Sequence, residues 1–161
     1  MQRNHYLVPD QFQGFEKNIE HSMLLKTAED AEDSFVSAKE RLLDVNNWNR
    51  YTGPVSSFQL TDLQGKLLHR RAHKGDCIKT AGLPMMHSIL IEAIEYDDYP
   101  DESRETFAVR LQPGSNGATA TIVIERAHKK LAASYHCRNE ITLSFGLSDE
   151  QWGSLMEGLV G

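Results

Sequence analysis

The chain has 161 residues, of which 40% are hydrophobic and 25% are charged, and its formal net charge at pH 7 is −6. This length and composition are typical of one folded domain, and they argue against a disordered chain. Nucleic acids and anionic membranes are bound through clustered Lys and Arg, so the acidic balance argues against both as partners.

The cysteines and the first residues bear on the cellular compartment. Cys77 and Cys137 are too few for a disulfide framework. Residues 1–5 lack the apolar core of a signal peptide, and no run approaches the roughly 18 apolar residues of a membrane span. We therefore expect a cytoplasmic protein with reduced thiols, folded as a single domain over residues 1–161.

Two alternatives are open for residues 1–20. One is a short helix that begins at Asp10, and the other is an extended arm. The helix would place three apolar side chains on one side, namely Phe12, Phe15 and Ile19. The apolar residues that follow predict a strand over residues 21–27.

Two later segments carry the signals of amphipathic helices. Thr27 and Asp30 form a capping box, and an apolar stripe at spacings of three and four follows it: Ala31, Phe35, Ala38, Leu42 and Val45. Ser148 and Gln151 form a second capping box, followed by the stripe Trp152, Leu155, Met156 and Leu159. The sequence therefore predicts one helix near the start of the chain and one at its end.

Between these helices the pattern changes to strands separated by turn residues. It predicts five or six antiparallel strands within residues 56–140. Residues 67–74 are expected to be strand, and residues 89–96, which are apolar on both faces, are expected to lie centrally in a sheet. Residues 97–102 are expected to form an acidic loop.

Strand alternation assigns faces within residues 131–140. One face holds Leu131, Ala133, Tyr135 and Cys137, and we expect it to be buried. The other face holds Ser134, His136, Arg138 and Glu140, and we expect it to be outward.

The order of the elements is strand, helix, antiparallel strands and closing helix. This order resembles the START-like or SRPBCC superfamily, whose α+β helix-grip fold packs a C-terminal helix on a curved antiparallel sheet. At motif level the resemblance lies in residues 21–53, where the run Asp-Val-Asn-Asn-Trp-Asn-Arg-Tyr-Thr-Gly at 44–53 carries the family's Asp, Trp, second aromatic and Gly. The predicted closing helix, which begins near Asp149, is shorter than the family's long helix.

The resemblance implies a cavity between the sheet and the closing helix. Such cavities hold lipids, polyketides or other apolar molecules in some relatives and support cyclase or dehydratase chemistry in others. Aromatic side chains and adaptable methionines suit such a pocket, and they also suit an ordinary core. The candidate pocket residues are Trp48, Tyr51, Met85, Met86, Tyr135, Trp152 and Met156.

Two histidine patterns invite a chemical interpretation. His69 and His73 have the spacing of a helical zinc pair, but in a strand four residues span roughly 13 Å, too far for one ion. His136 lies beside Cys137, but adjacent strand residues point to opposite faces, so imidazole and thiol should not meet. We expect a solvated basic strand in the first case and a buried structural cysteine in the second.

The remaining charged residues give no catalytic motif. The acidic residues 97–102 lack an EF-hand pattern, and the chain has neither a Gly-rich phosphate loop nor a nucleophile elbow. Arg110 and Arg138 could anchor a ligand carboxylate, but alternation places both opposite the apolar face, where we expect solvent exposure. We therefore expect no metal and no cofactor.

Three functional hypotheses follow. The first is a noncatalytic protein that binds a small apolar or amphipathic molecule in the helix-grip cavity. The second is a cyclase or dehydratase type of enzyme, which needs an inward acid or base that His136 and Glu140, on the predicted outer face, do not supply. The third is an interaction module that dimerises through an exposed sheet edge or apolar patch, so the chain is expected to be a monomer or a homodimer.

Overall fold

A computed structural model describes residues 5–53, 57–81, 86–113, 117–140 and 147–161. The strands are β1 (Phe15–Leu24), β2 (Phe58–Thr61), β3 (Cys77–Ala81), β4 (Met86–Tyr99), β5 (Arg104–Gln112), β6 (Thr119–Ala127) and β7 (Lys130–Glu140). The helices are α1 (Ala28–Leu43), the short α2 (Asn49–Thr52) and α3 (Asp149–Val160), with 3₁₀ turns at Val45–Asn47 and Pro100–Glu102.

The strands form one antiparallel sheet in the order β1-β7-β6-β5-β4-β3-β2. The sheet curls into a half-barrel, and α3 packs along its inner face against β1 and β7. The predicted α+β helix-grip architecture is therefore confirmed. None of the helices in the described part of the chain is both long and apolar enough to cross a membrane.

The predicted capping box of Ser148 and Gln151 is present in full, and at Thr27 and Asp30 the N-cap hydrogen bond is formed. The Thr27 side chain accepts a hydrogen bond from Asp30 N at 3.0 Å, and that of Ser148 accepts one from Gln151 N at 3.2 Å. Each bond satisfies an N–H group that has no partner inside its helix. The apolar stripes then turn inward, with Phe35 and Leu42 of α1 buried in the core.

The core lies between the inner face of the sheet and the helices. The β-branched and aromatic side chains of β4 to β7 point inward at every second residue, as the pleat requires. Members of this core include Ile91, Val109, Leu111, Ile122, Ile124 and Tyr135. The strand predicted over residues 89–96 lies inside the sheet as β4, although Glu95 and Tyr96 near its far end are exposed.

Residues 5–13 follow the second of the two alternatives, an extended arm, but the first strand starts earlier than predicted. The helix starting at Asp10 is not formed, and the first strand begins at Phe15 rather than at residue 21. Residues 5–13, which we call the N-terminal strap, lie across the outer face of β5, β6 and β7. Leu7 O accepts hydrogen bonds from Thr121 Oγ1 at 3.3 Å and Arg110 Nη1 at 3.4 Å. These contacts with the sheet replace the hydrogen bonds that a helix would have made internally.

The strap is anchored at its other end on β7. The side chain of Asn139 accepts a hydrogen bond from Phe12 N at 2.7 Å and donates one to Asp10 O at 3.0 Å. Leu7 and Val8 are buried on the outer face, and Leu7 packs with Ala108 and Val123 in a second, small apolar cluster. Both faces of the middle strands are therefore covered.

The strand predicted over residues 67–74 is also wrong. That segment is a loop with one isolated bridge, between Thr61 and Leu67. The Arg70 guanidinium makes two hydrogen bonds to the carboxylate of Asp76, at 2.8 and 3.1 Å, and His73 N donates to the same carboxylate at 2.8 Å. These hydrogen bonds give polar groups of the loop a partner in the Asp76 carboxylate, so the loop does not need to pair with a strand. Residues 97–99, predicted as loop, belong to β4.

Candidate functional site

The candidate site lies at the end of β7, where one extra residue changes the alternation of side chains. Cys137 pairs with Lys17, and Glu140 pairs with Phe15, so β7 uses three steps where β1 uses two. Asn139 takes up the difference in the left-handed region at φ 61°. This β-bulge points Glu140 to the inner face, the same face as Cys137. The prediction that Glu140 lies on the outer face is therefore wrong.

Three polar side chains meet in this interior, and we call Tyr135, Cys137 and Glu140 the interior polar cluster. Each is at most 2% exposed. The thiol of Cys137 donates a hydrogen bond to Oε2 of Glu140 at 3.0 Å. Within the described residues Oε1 of Glu140 accepts no hydrogen bond. A buried carboxylate oxygen without a donor is costly, since burial removes the water that would otherwise solvate it.

The environment keeps the two neighbours of Glu140 protonated. Burial, and then the hydrogen bond to Glu140, raise the pKa of the Cys137 thiol to about 12. Burial also raises the pKa of Tyr135. At neutral pH both groups are therefore hydrogen-bond donors, and the thiol is not a nucleophile, because only the thiolate attacks.

An ion pair closes the rim of this region. Lys17 Nζ lies 2.9 Å from Asp149 Oδ1 and so joins β1 to the first turn of α3. The hydrogen bond to Asp149 raises the pKa of Lys17. Asp149 is mostly exposed, so this contact orients α3 more than it stabilises the fold.

His136 lies on the outer face, away from Cys137, as predicted. Its Nδ1 is 2.8 Å from Asn18 Oδ1, and its Nε2 is 2.9 Å from Ser134 Oγ. Burial, with the nearby positive charge of Arg138, lowers the pKa of His136 to about 4. The imidazole is therefore neutral at neutral pH, and its position on the outer face keeps it away from the thiol of Cys137.

The arginines predicted to be exposed are not. Arg138 is 3% exposed. Its guanidinium donates to Cys137 O at 2.9 Å and to Asn18 Oδ1 at 2.8 Å. Arg110 is half-buried, paired with Glu92 and bonded to the strap. Protein groups from neighbouring strands and the strap already occupy both guanidinium groups, so neither is a free anchor for a ligand carboxylate.

The predicted pocket residues divide into separate places. Tyr135 and Trp152 stack with ring centroids 4.1 Å apart and an angle of 13° between the planes, and Met156 is fully buried in the same core. Trp48 packs edge-on against Phe58 at 5.4 Å, and its indole Nε1 donates to Leu42 O at 3.1 Å. These side chains act as core where the structure describes them. Met85 lies outside the described residues, as does the side chain of Met86.

Tyr51 is the exception, because it borders the surface. It lines an open groove of about 610 Å³ between the helices, together with Arg41, Arg50 and Glu157. Its ring packs on Gly158, where a Cβ would come within 2.2 Å of Tyr51 Cδ1. Arg41 donates to Leu159 O at 3.0 Å and so closes the end of α3. The groove is shallow and polar, unlike an apolar ligand pocket.

Metal binding finds no geometric support in the part of the chain that is described. No three His, Cys, Asp or Glu side chains there are arranged to hold an ion. His69 and His73 lie in the loop before β3 rather than in the predicted strand.

Comparison with known proteins gives a fold but no family. No family model matches the chain, and no curated protein matches it. A solved structure of hypothetical protein jhp0584 from Helicobacter pylori is 12% identical, with a TM-score of 0.54, covering 89% of this chain and 86% of that one. At this identity the likeness shows a shared fold alone.

Two plant proteins are also similar, at lower TM-scores. Truncated norcoclaurine synthase from Thalictrum flavum has a TM-score of 0.47 at 10% identity, over 94% of this chain and 96% of that one. Ginseng major latex-like protein 151 from Panax ginseng has a TM-score of 0.43 at 13% identity, over 91% and 97%.

Proposed function

We propose that this protein binds a small amphipathic molecule between the curved sheet and α3, with the ligand's polar end at Glu140. The observation that carries the proposal is the carboxylate of Glu140, which is buried and has one oxygen without a donor among the described residues. A ligand hydroxyl or amine at Oε1 would satisfy that oxygen. The proposal includes membership of the START-like superfamily, some of whose members hold apolar molecules between the sheet and the closing helix.

The chemistry of the surroundings supports an amphipathic ligand. Tyr135 and Cys137 hold their protons and so present no charge to the interior, and Trp152, which stacks on Tyr135, supplies apolar surface beside them. Ligand sites are mostly apolar with a few placed polar groups, and one carboxylate among apolar side chains fits that description. The stacked pair of Tyr135 and Trp152 fills the centre of the core, so we place the ligand towards Glu140 instead.

A second candidate is acid–base chemistry on the bound molecule. The bulge at Asn139 turns Glu140 inward, which supplies the inward carboxylate that a cyclase or dehydratase needs. In this version Glu140 exchanges a proton with the ligand, and Tyr135 stays a neutral hydrogen-bond donor.

The test is native mass spectrometry of protein purified from its own host, compared with the denatured mass. We expect a reproducible extra mass of a small molecule, which is then identified. Glu140→Gln keeps the side-chain shape but loses the charge. We expect it to weaken binding roughly 10- to 100-fold, the value of a hydrogen bond to a charged group.

Glu157→Gln is the matched control, because Glu157 is exposed and lies in the groove beside Tyr51. An adduct lost in this variant and kept in Glu140→Gln would place the ligand in the groove and overturn the assignment. Absence of any adduct, together with no thermal shift from long-chain amines or alcohols, would count against ligand binding altogether. Conversion of the identified ligand by wild type and not by Glu140→Gln would favour the enzymatic alternative.

A further inference from the structure

The strand β1 forms one edge of the sheet and is unusually long for an edge. It has ten residues, pairs with β7 on one side and has no strand partner on the other among the described residues. Unpaired edges of this length are templates for pairing with another chain, and proteins usually shorten, charge or cover them. β1 carries the charges of Glu16, Lys17 and Glu20, but within the described residues no strand pairs with its outer side.

Exposed apolar side chains are arranged along β1 in a symmetric pattern. Phe15 is 43% exposed and Met23 is 37% exposed, and they lie four residues on either side of Ile19. All three point to the same face, because strand side chains repeat every two residues. The inner side of β1 is already held by α3, where a Cβ on Gly153 would lie 3.9 Å from Ile19 Cγ2. An added strand would therefore extend the sheet without opening the core.

The charges of β1 favour the register about Ile19 over the two registers next to it, for pairing with a second copy of itself. A two-fold axis at Ile19 places Phe15 opposite Met23 of the second copy, and Glu16 opposite Ser22. An axis at Asn18 would place Glu16 opposite Glu20, and an axis at Glu20 would place that residue opposite itself. Like charges directly opposite one another are destabilising in a sheet, so the register about Ile19 is favoured.

We propose that this protein forms a symmetric dimer in which β1 pairs antiparallel with β1 of a second copy about Ile19. The two seven-stranded sheets then become one continuous sheet. This contact is isologous, because the β1 edge of one copy pairs with the β1 edge of the other. Neither copy then has an unpaired β1 edge, so assembly stops at two copies and does not continue into a fibre. The dimer does not depend on the proposed ligand, because the contact is on the edge and Glu140 lies in the interior.

The test is sedimentation velocity from about 1 to 100 μM, a range that suits interfaces of modest size, with opposite charges introduced at Ser22. This residue is exposed, so both variants should fold. Ser22→Glu places two like-charged pairs across the dimer, opposite Glu16, and we expect the dimer Kd to rise about 2- to 10-fold. Ser22→Lys places opposite charges there, and we expect the Kd to fall by a similar factor.

A second pair of variants tests the apolar contact. Met23→Lys removes the partner of Phe15, and we expect it to dissociate the dimer across that concentration range. Leu63→Lys makes the same kind of change at an exposed residue outside β1 and should leave the dimer intact. A wild-type monomer at 100 μM would overturn the proposal, and so would a dimer whose Kd none of the β1 variants changes.

Discussion

The sheet ends at β2 on one side and at β1 on the other, and the two edges satisfy their backbone groups differently. At β2, the Asn46 side chain accepts from Leu60 N at 2.8 Å and donates to Leu68 O at 2.8 Å. Leu68 N in turn donates to Leu60 O at 2.9 Å. This edge has only four residues, and a side chain and a loop cover it.

At β1 fewer contacts are available to the backbone groups on the outer side of the strand. The ten residues of β1 have β7 on one side, α3 beneath and no cover on the outer edge among the described residues. The buried polar side chains also differ, since the β1 end contains the carboxyl group of Glu140, whereas the β2 end contains the hydroxyls of Thr61 and Thr80 and the indole N–H of Trp48, which is bonded to Leu42 O. The comparison teaches that the chain itself closes the β2 edge, whereas the β1 edge keeps its outer side for the dimer contact that we propose.

The largest loss of stability should come from a substitution in the core at the β2 end of the sheet. Trp48→Ala removes a 2%-exposed indole that packs on Phe58, and we expect a loss of about 3–5 kcal/mol in the free energy of unfolding. Urea denaturation measures this loss. Trp48→Phe should recover part of it, because the ring remains. A loss below about 1 kcal/mol would show that this end is not a tightly packed core.

The Asn46 side chain, which covers the β2 edge, should contribute less to the free energy of unfolding than the core beneath that edge. Asn46→Ala leaves the buried Leu60 N–H without its acceptor, and we expect about 2–3 kcal/mol of destabilisation in the same experiment. Asn46→Asp keeps an acceptor for Leu60 N–H but turns a carboxylate oxygen towards Leu68 O, which repels it, so it should also be destabilising. A loss below about 1 kcal/mol in Asn46→Ala would contradict the view that this side chain covers the edge.

The smallest of the three effects concerns His136, which lies opposite Asn18 of β1. Its pKa is about 4 in the folded protein and near 6.5 in the unfolded chain, so between these values only the unfolded chain takes up the proton. Stability should therefore fall as the pH drops from 6.5 to 4. Because the imidazole is partly exposed, we expect about 1–2 kcal/mol rather than the full value of the shift.

His136→Gln removes this titration and should flatten the decline when urea denaturation is repeated at several pH values. His69→Gln, at an exposed histidine in the loop before β3, is the control and should leave the decline unchanged. An identical pH dependence in wild type and His136→Gln would show that burial does not restrain protonation at this position.

Local signals in the sequence predicted the helices and the sheet. The hydroxyl and acid or amide at Thr27–Asp30 and Ser148–Gln151 fix the helix starts through bonds to nearby residues, so no tertiary information is needed. Alternation of apolar side chains likewise identified the buried face of β7 as far as Cys137. The order of these elements was enough to predict the helix-grip fold.

The features that were not predicted depend on contacts between distant residues. The strap is held by Thr121 and Asn139, more than 100 positions away in the chain, and the burial of Arg138 depends on its contacts with β1. Glu140 was assigned to the wrong face because alternation was carried through without a break. The one available signal was Asn139, since Asn tolerates left-handed backbone near the end of a strand.

The bulge at Asn139 decides which face of the sheet carries the acid. With the same number of residues between Cys137 and Glu140 but regular strand geometry at Asn139, the carboxylate would point to the outer face, and the interior would lose its acid without any change in residue type. Deletion of the extra residue would instead leave the carboxylate inward, two regular steps after Cys137. In a relative of this protein, a β-branched residue at the bulge position would therefore change the interior chemistry more than a one-residue gap there.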